Sequence, residues 1–233
     1  MEVIQAKMRI AVIGALKSEI IHLLNKFPDL VRSESRGLAL YEGKAGGHDL
    51  IFAVSGMGQL KCASAAAALI ERSRPDQAVL TGTCGALAPG VSIGDAVIAR
   101  DIVYYDISET FMDSLSERLK KGFSNFRAPE SVLPFHQDSL YNGKVHRGLV
   151  LSGNNPVAGA AVKKALYEKW GGLCAEMEGA GFAAACEKAG VPWSVVRVVT
   201  DECGELEQIM SDSEPPELLK KLSDFISASL GLG

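Results

Sequence analysis

Three acidic residues stand where strand-like runs of the chain give out. MRIAVIGA (8–15) is followed by Leu16, Lys17, Ser18 and Glu19, GLCAEM (172–177) by Glu178, and WSVVRVVT (193–200) by Asp201. In a parallel α/β sheet the carboxyl ends of the strands share one side, and ligands bind there. Three carboxylates far apart in sequence are therefore expected to line one cleft, and converging carboxylates are the equipment of general acid–base chemistry. Two glycine-rich segments, Met57-Gly58 after LIFAVSG and Thr83-Cys84-Gly85 after AVLTG, read as turns that let a ligand approach the backbone closely. Each acid also has a plainer use. Acids favour helix N-termini through the macrodipole, which would account for Glu19 and Glu178. Asp201 would serve equally as a turn or cap residue, and Met177 as core.

The elements that must position these groups alternate along the chain. MRIAVIGA reads as a buried strand and SEIIHLLNKF (18–27) as a helix. GLALYEGKAGGHDLIFAVSG (37–56) reads as two strands around a Gly-Gly turn at 46–47. KCASAAAALIERSRP (61–75) is an Ala-rich helix that Pro75 helps to end, and QAVLTG (77–82) another strand. GDAVIARDIVYYD (94–106) reads as one long strand or a pair of strands, KVHRGLVLSG (144–153) as a strand, and AGAAVKKALYEKW (158–170) as a helix. GLCAEM is a strand, EGAGFAAACEKAG a helix stopped by Gly190, and WSVVRVVTD (193–201) a strand. PPELLKKLSDFISASL closes the series as a helix with proline at its start. This alternation predicts an α/β fold layered around one central sheet, and the continuous apolar strands predict helices on both of its faces. Residues 107–143 are polar, hold Pro129 and Pro134 and contain one amphipathic patch, SLSERLKKGF (114–123). They read as an excursion over the sheet, a lid or interface segment.

Composition narrows the classes. The chain has 233 residues, 47% of them hydrophobic, which suits one large domain over 8–233 with a short extension at 1–7. A net charge of −4 and the lack of any like-charge block argue against a nucleic-acid partner. No apolar run is long enough to span a bilayer, and residues 1–7 carry no signal-peptide pattern, so a cytoplasmic protein is expected. Cys62, Cys84, Cys174, Cys186 and Cys203 form no CxxC pair and read as reduced thiols. There is no GxGxxG motif, no GxxxxGK[ST] loop and no nucleophile elbow between a strand and a helix. His22, His48, His136 and His146 show no metal-ligand spacing, so no metal is expected.

IGALKSE (13–19), SGMG (55–58), TGTCGALAPGVSIGDAVIA (81–99), GLVLSG (148–153), AEMEGAG (175–181) and VVRVVTD (195–201) occur in the order and spacing of one family. The chain resembles the nucleoside phosphorylase/hydrolase superfamily, and within it the 5′-methylthioadenosine/S-adenosylhomocysteine nucleosidases, from residue 8 to about 202. That resemblance implies a single three-layer α/β/α domain with a central mixed, twisted sheet flanked by helices, and hydrolysis of the bond between a purine and its ribose, without metal or organic cofactor. By the same resemblance Asp201 protonates the departing base and Glu19 activates water. Glu178 holds the ribose hydroxyls, with Met177 packed against the sugar. Glu176, Met57, Thr83, Cys84, Gly85, Pro156 and Val157 complete the implied substrate pocket. Phosphorylases of the superfamily carry phosphate-binding arginines where this chain has Ser18 and Leu80, so water is the implied acceptor.

SGNNPVAG (152–159) departs from the family: Asn154 replaces an aspartate, and Pro156 falls where an aromatic covers the base. The alternatives are accordingly a futalosine or adenosyl-lipid nucleosidase, a purine nucleoside phosphorylase, or a nucleoside-binding protein that has lost catalysis. The family also implies a homodimer, with 102–136 as the candidate contact.

Overall fold

The computed structural model describes residues 7–106, 125–129, 135–204 and 215–232. Within them run β1 (Arg9–Gly14), α1 (Lys17–Lys26), β2 (Val31–Ser35), β3 (Leu38–Ala45), β4 (His48–Val54), α2 (Gln59–Ser73), β5 (Gln77–Ala86) and β6 (Ala96–Tyr104). There follow β7 (Asn125–Arg127), β8 (Val145–Ser152), α3 (Ala160–Trp170), β9 (Cys174–Glu176), α4 (Gly179–Ala189), β10 (Trp193–Asp201) and α5 (Pro216–Ser229). Chain reversals fall where the backbone is free to make them. Gly46 and Gly47 take positive φ at the β3–β4 turn, and Gly190 ends α4 in the left-handed region.

All ten strands join one sheet, in the order β10-β6-β8-β9-β5-β1-β4-β3-β2 with β7 on β6. β4, β1, β5 and β10 run parallel, whereas β6, β8 and β9 run the other way. β10 also pairs with β5. The strands β5, β10, β6, β8 and β9 therefore close on themselves, so half of the mixed sheet is a ring and half an open, edge-bearing ribbon.

Alternation along the strands builds the two flanking layers. Ile10 and Val12 of β1, Leu50 and Phe52 of β4 and Val196 and Val198 of β10 pack against α1 and α5. Ala11, Ile13, Leu80 and Val195 face the opposite way, toward the small side chains of α2 and the Ala180–Cys186 face of α4. Alanine lets α2 and α4 lie close together: a Cβ at Gly181 would strike the backbone oxygen of Gln59. The expected α/β/α layering is what the structure has.

Three local readings need correction. β5 does not turn at Thr83-Cys84-Gly85 but runs on to Ala86, because β10 and β9 pair with it there. The GLCAEM strand is three residues long, Cys174–Glu176. β2 goes unassigned in the sequence reading, since VRSES is polar and half-exposed. It forms a two-residue hairpin with β3 through Arg36 and Gly37, both at positive φ, as a turn matched to strand twist requires. The amphipathic patch 114–123 lies outside the described residues.

Candidate active site

A cleft at one end of the sheet encloses about 630 Å³ of empty space, part of it open to solvent. Its lining includes every residue the sequence reading assigns to a site: Glu19, Met57, Thr83, Cys84, Gly85, Pro156, Val157, Glu176, Met177, Glu178 and Asp201. The route to this convergence differs from the expected one. Glu178 does not share a parallel-sheet edge with Glu19 and Asp201, because β9 runs antiparallel to β5. The carboxyl end of β9 instead points at the middle of β5, so the acids meet at the seam where oppositely directed strands close the ring.

Arg197 organises the floor. It is fully buried on β10, level with Gly82 of β5, at a position whose neighbours Val195 and Val199 face the apolar α2–α4 layer. A guanidinium there has to be neutralised. Its Nη2 donates to Glu176 Oε2 and, at 3.3 Å, to Glu178 Oε2; Nη1 donates to the Thr81 carbonyl and lies 3.9 Å from Glu19 Oε1. Burial alone would make this guanidinium a stronger acid, but Glu176, Glu178 and Glu19 more than reverse that and hold it charged.

Each carboxylate is also tied to backbone. Glu19 Oε2 accepts from the Leu16 N–H (2.9 Å) and Oε1 from the Thr83 N–H (3.1 Å), so its helix-start role and its place in the cleft coexist. Glu178 precedes α4, and its Oε1 accepts from the Gly58 N–H (2.9 Å). Asp201 Oδ1 accepts from the Cys203 N–H (2.8 Å), the plain turn role that its residue type also suggests. Glu176 is the most enclosed of them. Its oxygens take the N–H groups of Glu178 and Gly179 and the Arg197 guanidinium, and its side chain is only 1% exposed although the residue borders the cleft.

The two glycines of TGTCG clear space for this array. A Cβ on Gly82 would collide with the Glu19 carboxylate and the Arg197 guanidinium, and one on Gly85 would sit 2.7 Å from Asp201 Oδ1 and 2.6 Å from Cys203 Sγ. Their use is close approach inside a strand, not a turn. Pro156 and Val157 form one wall with no aromatic ring among the cleft's described lining residues. Burial pushes the Cys203 thiol up to about 12 and raises Cys84 as well, so both cleft thiols are protonated and unsuited to nucleophilic attack. Lys17 is exposed, and Leu80, where a phosphate-binding arginine would stand, is buried in the core. Among the described residues no group of His, Cys, Asp and Glu has the arrangement of a metal site.

Sequence reasoning missed two residues here. Arg197 lay in plain view as the only charge in WSVVRVVT, at a core-facing step of the strand alternation. Gln59, which bridges α2 to the 152–153 segment and to α4, carries no such signal.

A mixed sheet closed on one side over a cleft floored by buried acids defines a nucleoside phosphorylase-like α/β protein. The chain belongs to the phosphorylase superfamily, whose family model matches residues 9–228. A 5′-methylthioadenosine/S-adenosylhomocysteine nucleosidase of Geobacillus sp. (strain WCH70) is 26% identical over 223 residues, 94% of this chain and 96% of its own. The crystal structure of S-adenosylhomocysteine nucleosidase from Streptococcus pyogenes, in complex with 5-methylthiotubericidin, matches with a TM-score of 0.87 and 29% identity over 98% of both chains. A futalosine hydrolase mutant of Helicobacter pylori shares the fold at 22% identity and a TM-score of 0.86, over 97% of this chain and 99% of its own.

Replacing Arg197 with Met leaves buried carboxylates without their cation, and is expected to cost about 3–5 kcal/mol in a urea titration at neutral pH. Burial raises the Glu178 carboxyl above its ordinary 4.5, outweighing the opposing pull of Arg197. The folded state thus binds this proton more tightly than the unfolded chain. Stability from the group is complete below about 4.5 and is lost as pH rises through its folded value. Glu178→Gln is expected to flatten that fall when urea midpoints are compared across pH.

Proposed function

We propose that the protein hydrolyses the N-glycosidic bond of a 5′-modified purine nucleoside of the methylthioadenosine/adenosylhomocysteine type, releasing the base and the 5′-substituted ribose. What supports this reading is the one cleft that Glu19, Glu178 and Asp201 border together. Nucleosidases named for such substrates among the relatives support it further.

The chemistry follows from the leaving group. A purine departs readily once its N7 is protonated, and the ribose left behind has oxocarbenium character. Asp201, half-buried at the end of β10, delivers that proton. Glu19 orients and deprotonates the attacking water, and its oxygens are aimed by the Leu16 and Thr83 N–H groups. Glu178 accepts hydrogen bonds from the ribose hydroxyls, with Met177 against the sugar face. Glu176 acts one step back, fixing Arg197 and the start of α4, which revises its expected role as a substrate ligand. The developing positive charge on the sugar faces three carboxylates around one guanidinium, a field that favours the transition state.

The same field selects the acceptor. An inorganic phosphate dianion is repelled by Glu19, Glu176 and Glu178, and no arginine stands at positions 18 or 80 to hold it. Water carries no such penalty.

Two copies pair in solution in this reading, with residues 102–136 at the contact; most of that segment lies outside the described residues. Leu60 and Met57 are 84% and 54% exposed beside the cleft, apolar surface that a second copy would cover. A cytoplasmic site of action belongs to the same reading.

Incubation with methylthioadenosine, adenosylhomocysteine and futalosine is expected to release free base at the same rate with and without phosphate. Release that depends on phosphate would make the enzyme a phosphorylase, and preference for futalosine would move the substrate class. Asp201→Asn is expected to lower kcat by about 10²–10⁴ with an unchanged circular dichroism spectrum. Light scattering should give twice the chain mass; a monomer at micromolar concentration would remove the pairing.

A further inference from the structure

The first turn of a helix exposes N–H groups that have no partner within the helix. In α4 these donors are satisfied by three different parts of the chain. Gly179 N–H goes to Glu176, Ala180 N–H to Ser152 Oγ (3.0 Å), and Gly181 N–H to Gln59 Oε1 (2.7 Å). Gln59 is the first residue of α2. Its other amide atom, Nε2, donates to Ser152 Oγ (2.7 Å) and to the Gly153 carbonyl (3.1 Å). A backbone N–H on one side and a backbone carbonyl on the other fix which end of the amide is oxygen.

Around this one amide meet the two halves of the cleft. On the sugar side, Met57 and Gly58 immediately precede Gln59, and the Gly58 N–H holds Glu178 Oε1 at 2.9 Å. On the base side, Ser152 and Gly153 lead directly into Asn155, Pro156 and Val157 of the opposite wall. Gly153 is itself anchored, its N–H donating to the Glu176 carbonyl at 3.0 Å. The 154–159 segment has no regular structure of its own. Tyr104, Tyr105 and Asp106 hold Asn154 and Asn155, and the Gly159 N–H donates to the Gly204 carbonyl (2.8 Å), while Gln59 grips its start and ties that start to α2. Space is also tuned to this contact, since any side chain at Gly181 would push α2 away.

We propose that Gln59 is a positioning residue that locks the base-side wall to the sugar-side wall, so that both halves of a nucleoside are met in one fixed geometry. The inference rests on the nucleoside reading for its substrate and on the hydrogen bonds alone for the lock. A ligand spanning both walls gains from their fixed separation, whereas a ligand touching one wall does not. Gln59→Leu removes both arms of the amide. Gln59→Glu keeps the acceptor for Gly181 and loses the donor to Gly153.

Two measurements on the full chain decide the matter. Without ligand, amide exchange at Gly181 is expected to accelerate about tenfold in Gln59→Leu, where its N–H loses the Oε1 acceptor, and to stay unchanged in Gln59→Glu; exchange of the Gly153 N–H, which donates to the Glu176 carbonyl, is expected to accelerate in both variants as the segment loses the grip on its carbonyl. Unchanged exchange at Gly153 in both variants would overturn the lock whatever the substrate is. With ligand, KM for methylthioadenosine should rise by about tenfold or more in Gln59→Leu, while binding of free adenine weakens less than about threefold. Equal weakening for adenine and nucleoside would reduce Gln59 to general support and overturn the proposal. A wild-type protein that neither cleaves nor binds nucleosides would refute the nucleoside reading, and the exchange arm would still decide the lock.

Discussion

The buried Arg197 guanidinium is the interaction on which the rest of the site depends. A single cation in the α2–α4 layer must be neutralised, and the groups that neutralise it are carboxylates on three separate segments: the start of α1, the end of β9 and the residue before α4. Satisfying Arg197 therefore fixes where those segments end relative to β10. The acids nearest the cleft are thereby held in a cluster that would repel itself without the cation. Folding energy and site geometry are the same set of contacts here, which explains why the acids are also tied to backbone N–H groups. Each oxygen already used by the protein leaves fewer orientations for the one that meets a ligand.

The architecture was legible in the sequence wherever periodicity was strong. β1, α1, α2, β8, α4, β10 and α5 stand where apolar spacing and caps put them. The polar VRSES strand was not legible, because an edge strand half in water has no apolar pattern to read. The extent of β5 was obscured for a different reason: its last residues are held by β9 and β10, partners that lie roughly 90 to 120 positions downstream in the chain.

The site was legible at the level of which residues, less so at the level of how. Glu19, Glu178 and Asp201 do border one cleft, and their ordinary roles at helix starts and turns turned out to be additional to that, not alternatives. The parallel-edge argument that gathered them does not hold for β9. Glu176 looked like a ligand contact because it sits beside Glu178, yet its oxygens are turned to Arg197 and α4. The hydrogen bonds of Gln59 span from residue 59 to 153 and 181, distances over which no local pattern in a single sequence speaks.

The closed ring of strands has a temporal consequence. Its closure joins residues 77–86 to residues 193–201, and the latter stretch carries both the central cation and Asp201 at the edge of the cleft. Until residues 193–201 have been made, the circle stays open between β5 and β6, and the carboxylates of Glu19, Glu176 and Glu178 have no cation among them. A chain that stops upstream of Trp193 lacks both Arg197 and Asp201, and so lacks the site whatever else of it has formed.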